Sequence, residues 1–233
     1  MSQGIFEKAS QLWKMEAYTV KRMAEVVNPD AFCQIVRRMA EVVRKGGRIL
    51  VIGKGASGIA ARKMVHNLCS TDIPAIFLGV GEGKHATLGL LKAGDMLVLV
   101  SKGGSTEELV QLIEPARDKG VTVLGVTQNP ASMLGMKCDL LLRIMVVKEV
   151  DITDQVGNAS SIAMTAILDA LCDGVINCLY GGADEKQRKK EPDTGSFFAS
   201  WGKGADRANL TIEIRRQVLY DRTSKRRRRD HDG

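Results

Sequence analysis

Apolar residues follow two rhythms along this chain. Over residues 2–45 they recur at helical spacing, as Ile5, Leu12, Met15, Val20, Met23 and Val27, with charged residues between them. Asn28-Pro29-Asp30 interrupts the pattern and Gly46-Gly47 ends it. Two helices are therefore expected, the second over 31–44 with Asp30 as its cap. Beyond Gly47 the apolar residues come as short continuous runs, at 49–52, 74–79, 96–100, 122–126 and 140–147, each closed by glycine or polar residues. Helical patterns lie between the runs, clearest over 105–119. A last one, over 162–179, is apolar on nearly all sides and suits buried packing or a subunit contact. Continuous runs alternating with helices predict five parallel strands sandwiched between helices, a three-layer α/β/α fold. Ligands of such sheets bind beyond the carboxyl ends of the strands, so the loops that follow the runs are the places to look for chemistry.

The first such loop is Gly53-Lys54-Gly55-Ala56-Ser57-Gly58, leading into a helix expected over 59–68. Glycines allow close backbone approach, the helix N-terminus offers free N–H groups, and Ser57 adds a hydroxyl, so the turn reads as a phosphate cradle. Gly53-x-Gly55-x-x-Gly58 also fits the dinucleotide fingerprint. That reading wants an acidic residue at the end of the second strand, where this chain has Leu78-Gly79-Val80-Gly81 and Glu82 comes late.

The loop after the third run, Ser101-Lys102-Gly103-Gly104-Ser105-Thr106, repeats the same chemistry ahead of a helix expected over 107–119, which makes it a second anion site. The plainer alternative is that Ser105 or Thr106 only caps that helix. The glycine-rich loop over 79–89 carries a lone histidine, His85, on the same presumed edge. After the fifth run come two carboxylates, Glu149 and Asp151, either of which can serve as a base.

Composition narrows the classes. The net charge of +7 is concentrated late: lysines and arginines number 20 against 18 acids over 1–180, and 14 against 9 over 181–233. The excess belongs to a basic tail around Lys225-Arg226-Arg227-Arg228-Arg229, which is sparse in aromatics and so offers no base-stacking platform. Nucleic acid is not the expected partner. Five scattered cysteines without a C-x-x-C pair read as reduced thiols, and three histidines leave little material for a histidine metal site. No metal is expected. No apolar run approaches membrane-spanning length and the first residues do not resemble a signal peptide, so a cytoplasmic protein is expected. The expected organisation is N-terminal helices over 1–45, an α/β domain carrying the phosphate cradle over 46–180, a C-terminal extension over 181–220, and a basic tail over 221–233. Within the extension, 181–195 reads as a polar linker, and helical periodicity appears only in the second half of 196–220.

Four stretches together resemble a sugar isomerase (SIS) domain, and within it the arabinose-5-phosphate isomerase branch: the loop at 53–58, Glu82-Gly83-Lys84-His85-Ala86-Thr87-Leu88-Gly89, the loop at 101–106, and Glu149 ahead of Asn158-Ala159-Ser160-Ser161. The resemblance covers roughly residues 30–180. It implies a flavodoxin-like five-stranded sheet and a homodimer or homotetramer without an organic cofactor. It also implies a sugar phosphate held by Gly55, Ser57, Ser101, Gly104, Ser105, Thr106 and Ser160. By the same resemblance Glu149 is the base of an aldose–ketose isomerisation and His85 moves protons between the sugar oxygens. The chain departs from the branch at Ala56, where a lysine is usual, at Gly103 in place of a serine, at Ser105 in place of a glutamate, and at Trp201 in place of a histidine. It is also too short to continue into a pair of CBS modules. Two other functions fit the same cradle: a sugar-phosphate-binding regulator without turnover, and a phosphosugar lyase or etherase.

Overall fold

The computed structural model describes residues 2–146, 149 and 157–181. The expected linker, C-terminal extension and basic tail, together with Asp151, Trp201 and His231, lie outside the described residues.

Two N-terminal helices come first, α1 (Ser2–Val26) and α2 (Pro29–Arg44). The second begins two residues before the expected start. Asn28 is its cap, accepting the Ala31 N–H at 2.9 Å, and Pro29 takes the first helical position, where its missing N–H costs nothing.

The strands β1 (Ile49–Gly53), β2 (Ala75–Leu78), β3 (Met96–Val100), β4 (Thr122–Thr127) and β5 (Leu140–Arg143) form one parallel sheet in the order β2-β1-β3-β4-β5. Alternate strand residues enter opposite layers. Ile49, Val51, Met96, Val98, Leu124 and Val126 pack with α1, α2, α3 (Gly55–Cys69) and α8 (Asn158–Tyr180). Leu50, Ile52, Leu97, Leu99 and Val123 pack on the other face, with α5 (Glu107–Val110), α6 (Ile113–Asp118) and α7 (Met133–Lys137). The central strands are buried on both faces, which is why they read as unbroken apolar runs.

Four local expectations need correction. The helix expected over 107–119 is two short helices, because Pro115 cannot donate to the Gln111 carbonyl and its ring crowds that group. The loop over 79–89 is a 3₁₀ turn (Val80–Glu82) followed by α4 (Gly83–Leu90). The run of Met and Leu over 133–145, which reads from the sequence as core and strand, begins with α7, whose Met133 and Met136 are exposed. The last strand stops at Arg143, since β4, its one neighbour among the described residues, ends opposite it at Thr127. In addition, α8 is long and apolar enough to cross a membrane by length and composition alone, but here it packs against α1, α2 and α3.

Candidate functional site

In the order β2-β1-β3-β4-β5 the chain reverses direction across the sheet between β1 and β3, and the connections leaving these strands diverge. The crevice at that switch point is the general ligand position of open parallel sheets. The loops at 53–58 and 101–106 both leave the sheet there.

The first loop turns directly into α3. A Cβ at Gly53 would lie 2.7 Å from the Ser57 carbonyl, and one at Gly58 2.7 Å from the Gly53 carbonyl. Only glycines permit so close a strand-to-helix passage. Lys54 stands at the cap position without a side-chain cap bond, so the N–H groups of Gly55, Ala56 and Ser57 open the helix without intrahelical partners. Ser57, half-buried in the first turn, lies beside them.

The second loop is stiffened by its own groups. The Ser101 and Thr106 hydroxyls are 2.9 Å apart, and the Gly104 N–H donates to Ser101 Oγ at 3.1 Å. Gly104 adopts φ +70° against the Ser132 hydroxyl, where no side chain would fit. The Lys102 carbonyl accepts from Thr127 Oγ1 at 2.9 Å and from the Gln128 N–H at 3.0 Å, which fixes the loop to the end of β4. Thr106 does occupy the cap position of α5, but its hydroxyl serves Ser101 rather than the helix. Because α5 has only four residues, the second loop offers a ligand its hydroxyls and N–H groups but little helix dipole. Lys54 Nζ reaches Glu108 Oε1 at 2.6 Å and so ties the first loop to α5, the helix that follows the second.

Glu149 is the buried charge at this edge, 7% exposed. Lys102 Nζ donates to Oε1 at 2.6 Å, the Ala159 N–H donates to Oε2 at 2.9 Å, and the Ser160 N–H is 3.3 Å from both oxygens. Burial pushes its carboxyl up, but the bonds from Lys102 and from the side chain and backbone of Ser160 outweigh burial and hold it below the usual carboxylate range. The carboxylate thus occupies the N-terminus of α8, where the helix dipole also favours negative charge.

The structure brings together Ser101, Gly104 and Thr106, joins Glu149 directly to Ser160, and links Glu149 to the same loop through Lys102. Gly55 (φ +58°) and Ser57 lie on the neighbouring loop, while Ser105 is exposed. His85 is exposed on α4, and none of the described hydrogen bonds joins it to Glu149 or to either loop. Two participants were not legible from sequence, Lys102 and Thr127. A loop lysine and a strand-end threonine carry no special signal, and only the fold places Lys102 against a carboxylate 47 residues away. Among the described residues no group of three or more His, Cys, Asp or Glu side chains is placed to hold a metal ion.

A family model for the SIS domain matches residues 43–172, more than half of the chain and a span containing every candidate residue above. The chain belongs to the SIS domain family. A solved Listeria monocytogenes structure, named provisionally as a sugar-phosphate isomerase, is 38% identical with a TM-score of 0.72, the match covering 80% of this chain and 95% of that one. Among curated relatives, arabinose 5-phosphate isomerase KdsD of Francisella tularensis is 27% identical over 70% of this chain and 50% of its own length. Arabinose 5-phosphate isomerase GutQ of Escherichia coli K12 is 28% identical over 85% of this chain and 60% of its own. This SIS domain chain therefore spans half to three fifths of the length of those relatives. The matched span leaves out all of α1 and most of α2 and ends within α8.

Proposed function

We propose that this SIS domain chain is an aldose–ketose isomerase of a sugar phosphate, with arabinose 5-phosphate as the first substrate to test. The observation that carries the reading is the meeting of Glu149, buried and ionised, with Lys102 of the hydroxyl loop at the switch point. In the reading, the substrate phosphate lies against the N–H groups and hydroxyls of Gly55, Ser57, Ser101, Gly104, Ser105 and Thr106. This remote binding energy positions the reacting carbons. Glu149 removes the proton from the carbon beside the carbonyl, and the Lys102 ammonium and Ser160 lie where charge develops on the sugar oxygen. The enediol collapses when the proton returns to the adjacent carbon, so atoms balance without a cofactor. His85 is assigned to proton transfer between the two sugar oxygens, on the strength of the loop resemblance rather than of any bond within the chain. Names of relatives support the substrate class, since both curated relatives are arabinose 5-phosphate isomerases. A cytoplasmic location and a homo-oligomer complete the proposal.

A sugar-phosphate-binding regulator is the second reading. It is favoured by the full engagement of both Glu149 oxygens and by Ala56 and Ser105, which replace charged residues usual in the isomerase branch. The test is a panel of pentose, hexose and heptose phosphates followed by product analysis. Conversion of an aldose phosphate to its ketose supports isomerisation, and elimination products point to a lyase or etherase. Saturable binding without product across the panel overturns the enzyme reading.

A further inference from the structure

The sheet has a second opening at its amino end. A cavity of about 470 Å³ lies there between α2 and the starts of β4 and β5. Ile35, Met39 and Val42 turn one face of α2 into the core, while Gln34, Arg37, Arg38 and Glu41 recur at three- and four-residue steps along another face and line the cavity. Thr122, which opens β4, and Asp139, just ahead of β5, form the opposite wall. The crevice at the switch point lies beyond the other end of β4, where Thr127 holds the Lys102 carbonyl. Thr122 and Thr127 are about 17 Å apart along the strand.

The acids of this lining are already engaged. Glu41 accepts from Arg38 at 2.8 Å through one oxygen and from Lys45 at 2.6 Å through the other. Asp139 accepts from Arg117 Nε at 2.9 Å and from the Val123 N–H at 2.8 Å. Both acids thus hold a cation from outside the cavity, and they neutralise the two lining arginines only in part. The groups left over are donors. Arg37 is exposed, and none of the described hydrogen bonds or ion pairs uses its guanidinium or the Gln34 amide. Arg38 gives one N–H to Glu41 and one to the Thr122 hydroxyl at 3.1 Å, which fixes its guanidinium and leaves further N–H groups open. Because the Thr122 oxygen accepts that bond, its own hydrogen is left to donate.

We propose that this cavity binds a small organic oxyanion, with Arg37 and Arg38 on its phosphate or carboxylate group and Thr122 and Gln34 on its remaining oxygens. A surplus of donors calls for a ligand made of acceptors, and guanidinium forks match the paired oxygens of a carboxylate or a phosphate. Since Arg38 is already held by Glu41 and Thr122, little side-chain freedom is lost when the anion arrives. The volume falls in the range of pockets that enclose small organic molecules, so the oxyanion carries a carbon skeleton. Leu140 and the arginine stems give that skeleton an apolar wall. The site lies at the opposite end of β4 from the crevice and does not depend on the reaction proposed there.

The test is titration calorimetry of the full chain at low ionic strength, with citrate and with glycerol 3-phosphate as separate probes, which tell a carboxylate preference from a phosphate preference. At least one probe should bind with a Kd of about 1 mM or tighter, on the scale of two charge-assisted contacts. Arg37→Glu reverses the charge of an exposed side chain and should weaken that binding at least about tenfold with Tm unchanged, the loss of one such contact. Arg37→Lys should keep part of the affinity. Ser101→Ala alters the loop at the switch point and should leave this binding as it is. The proposal is overturned if neither probe binds up to about 10 mM. It is equally overturned if Arg37→Glu leaves the affinity of every probe that binds unchanged, and a loss in Ser101→Ala alone would then place the anion in the crevice.

Discussion

Asp95, at the amino end of β3, and Glu149, beyond the carboxyl end of the sheet, are both buried carboxylates held by one basic side chain and by backbone N–H groups. Their partners differ. Asp95 takes the Arg48 guanidinium through Nε at 3.3 Å and a terminal nitrogen at 2.6 Å, together with the N–H groups of Arg48 and Lys92. That planar fork joins the starts of β1 and β3 and leaves the carboxylate no other use. Glu149 is held instead by a single flexible ammonium, half-exposed on a loop at the switch point. The first arrangement closes an end of the sheet. The second leaves a buried carboxylate on a flexible partner at the switch point, and in the proposed function the contrast is between a structural carboxylate and the base.

The largest effect that would break this comparison lies at the structural end. Asp95→Ala leaves Arg48 and two N–H groups without their acceptor, and should cost about 3–5 kcal/mol in urea unfolding. The same variant should also flatten the acid limb of stability. Burial raises the Asp95 carboxyl, but the bonds from Arg48 and Lys92 hold it below its ordinary value. A group depressed in the folded state stabilises the fold above its unfolded pKa of about 4, and that contribution is lost as pH falls through the folded value. Wild-type stability should therefore fall steeply below about pH 4, and Asp95→Ala less so.

At the ligand end, smaller changes sharpen the contrast. Lys102→Met removes the ammonium from Glu149, so its carboxyl should rise and the acid limb of kcat/KM should move to higher pH. A drop of about tenfold in kcat is expected, equivalent to roughly 1.4 kcal/mol and modest for a charge-assisted hydrogen bond. Lys102→Arg should recover part of it; because raising the folded carboxyl also removes stability at neutral pH, Lys102→Met should unfold more easily than the wild type and Lys102→Arg less so. The least effect is expected from Thr106→Ala. Losing the partner of the Ser101 hydroxyl should raise KM about fivefold with kcat unchanged, since only uniform binding is lost.

The sheet was legible in the sequence because its central strands are buried on both faces, so 49–52 and 96–100 stand out as unbroken apolar runs. The two glycine- and hydroxyl-rich loops at the switch point were legible for a related reason, since glycines and hydroxyls directly after such runs have few structural uses. Helix lengths were read less well. Pro115 is visible in the sequence, but the apolar periodicity continues through it, and the pattern alone gives no weight to the hydrogen bond it removes. The Lys102–Glu149 pair joins the loop after β3 to a residue ahead of α8, and no local signal reports such a meeting.

The most direct test of the central claim follows deuterium entry from heavy water into C1 or C2 of arabinose 5-phosphate by nuclear magnetic resonance, for wild-type protein and for Glu149→Gln. The wild type is predicted to exchange that hydrogen while forming the ketose. The variant should exchange at least about 100-fold more slowly yet still bind the sugar phosphate, on the usual scale of a removed general base. Exchange that persists undiminished in Glu149→Gln, or a wild type that binds the sugar without exchanging it, would contradict the assignment of Glu149 as the base.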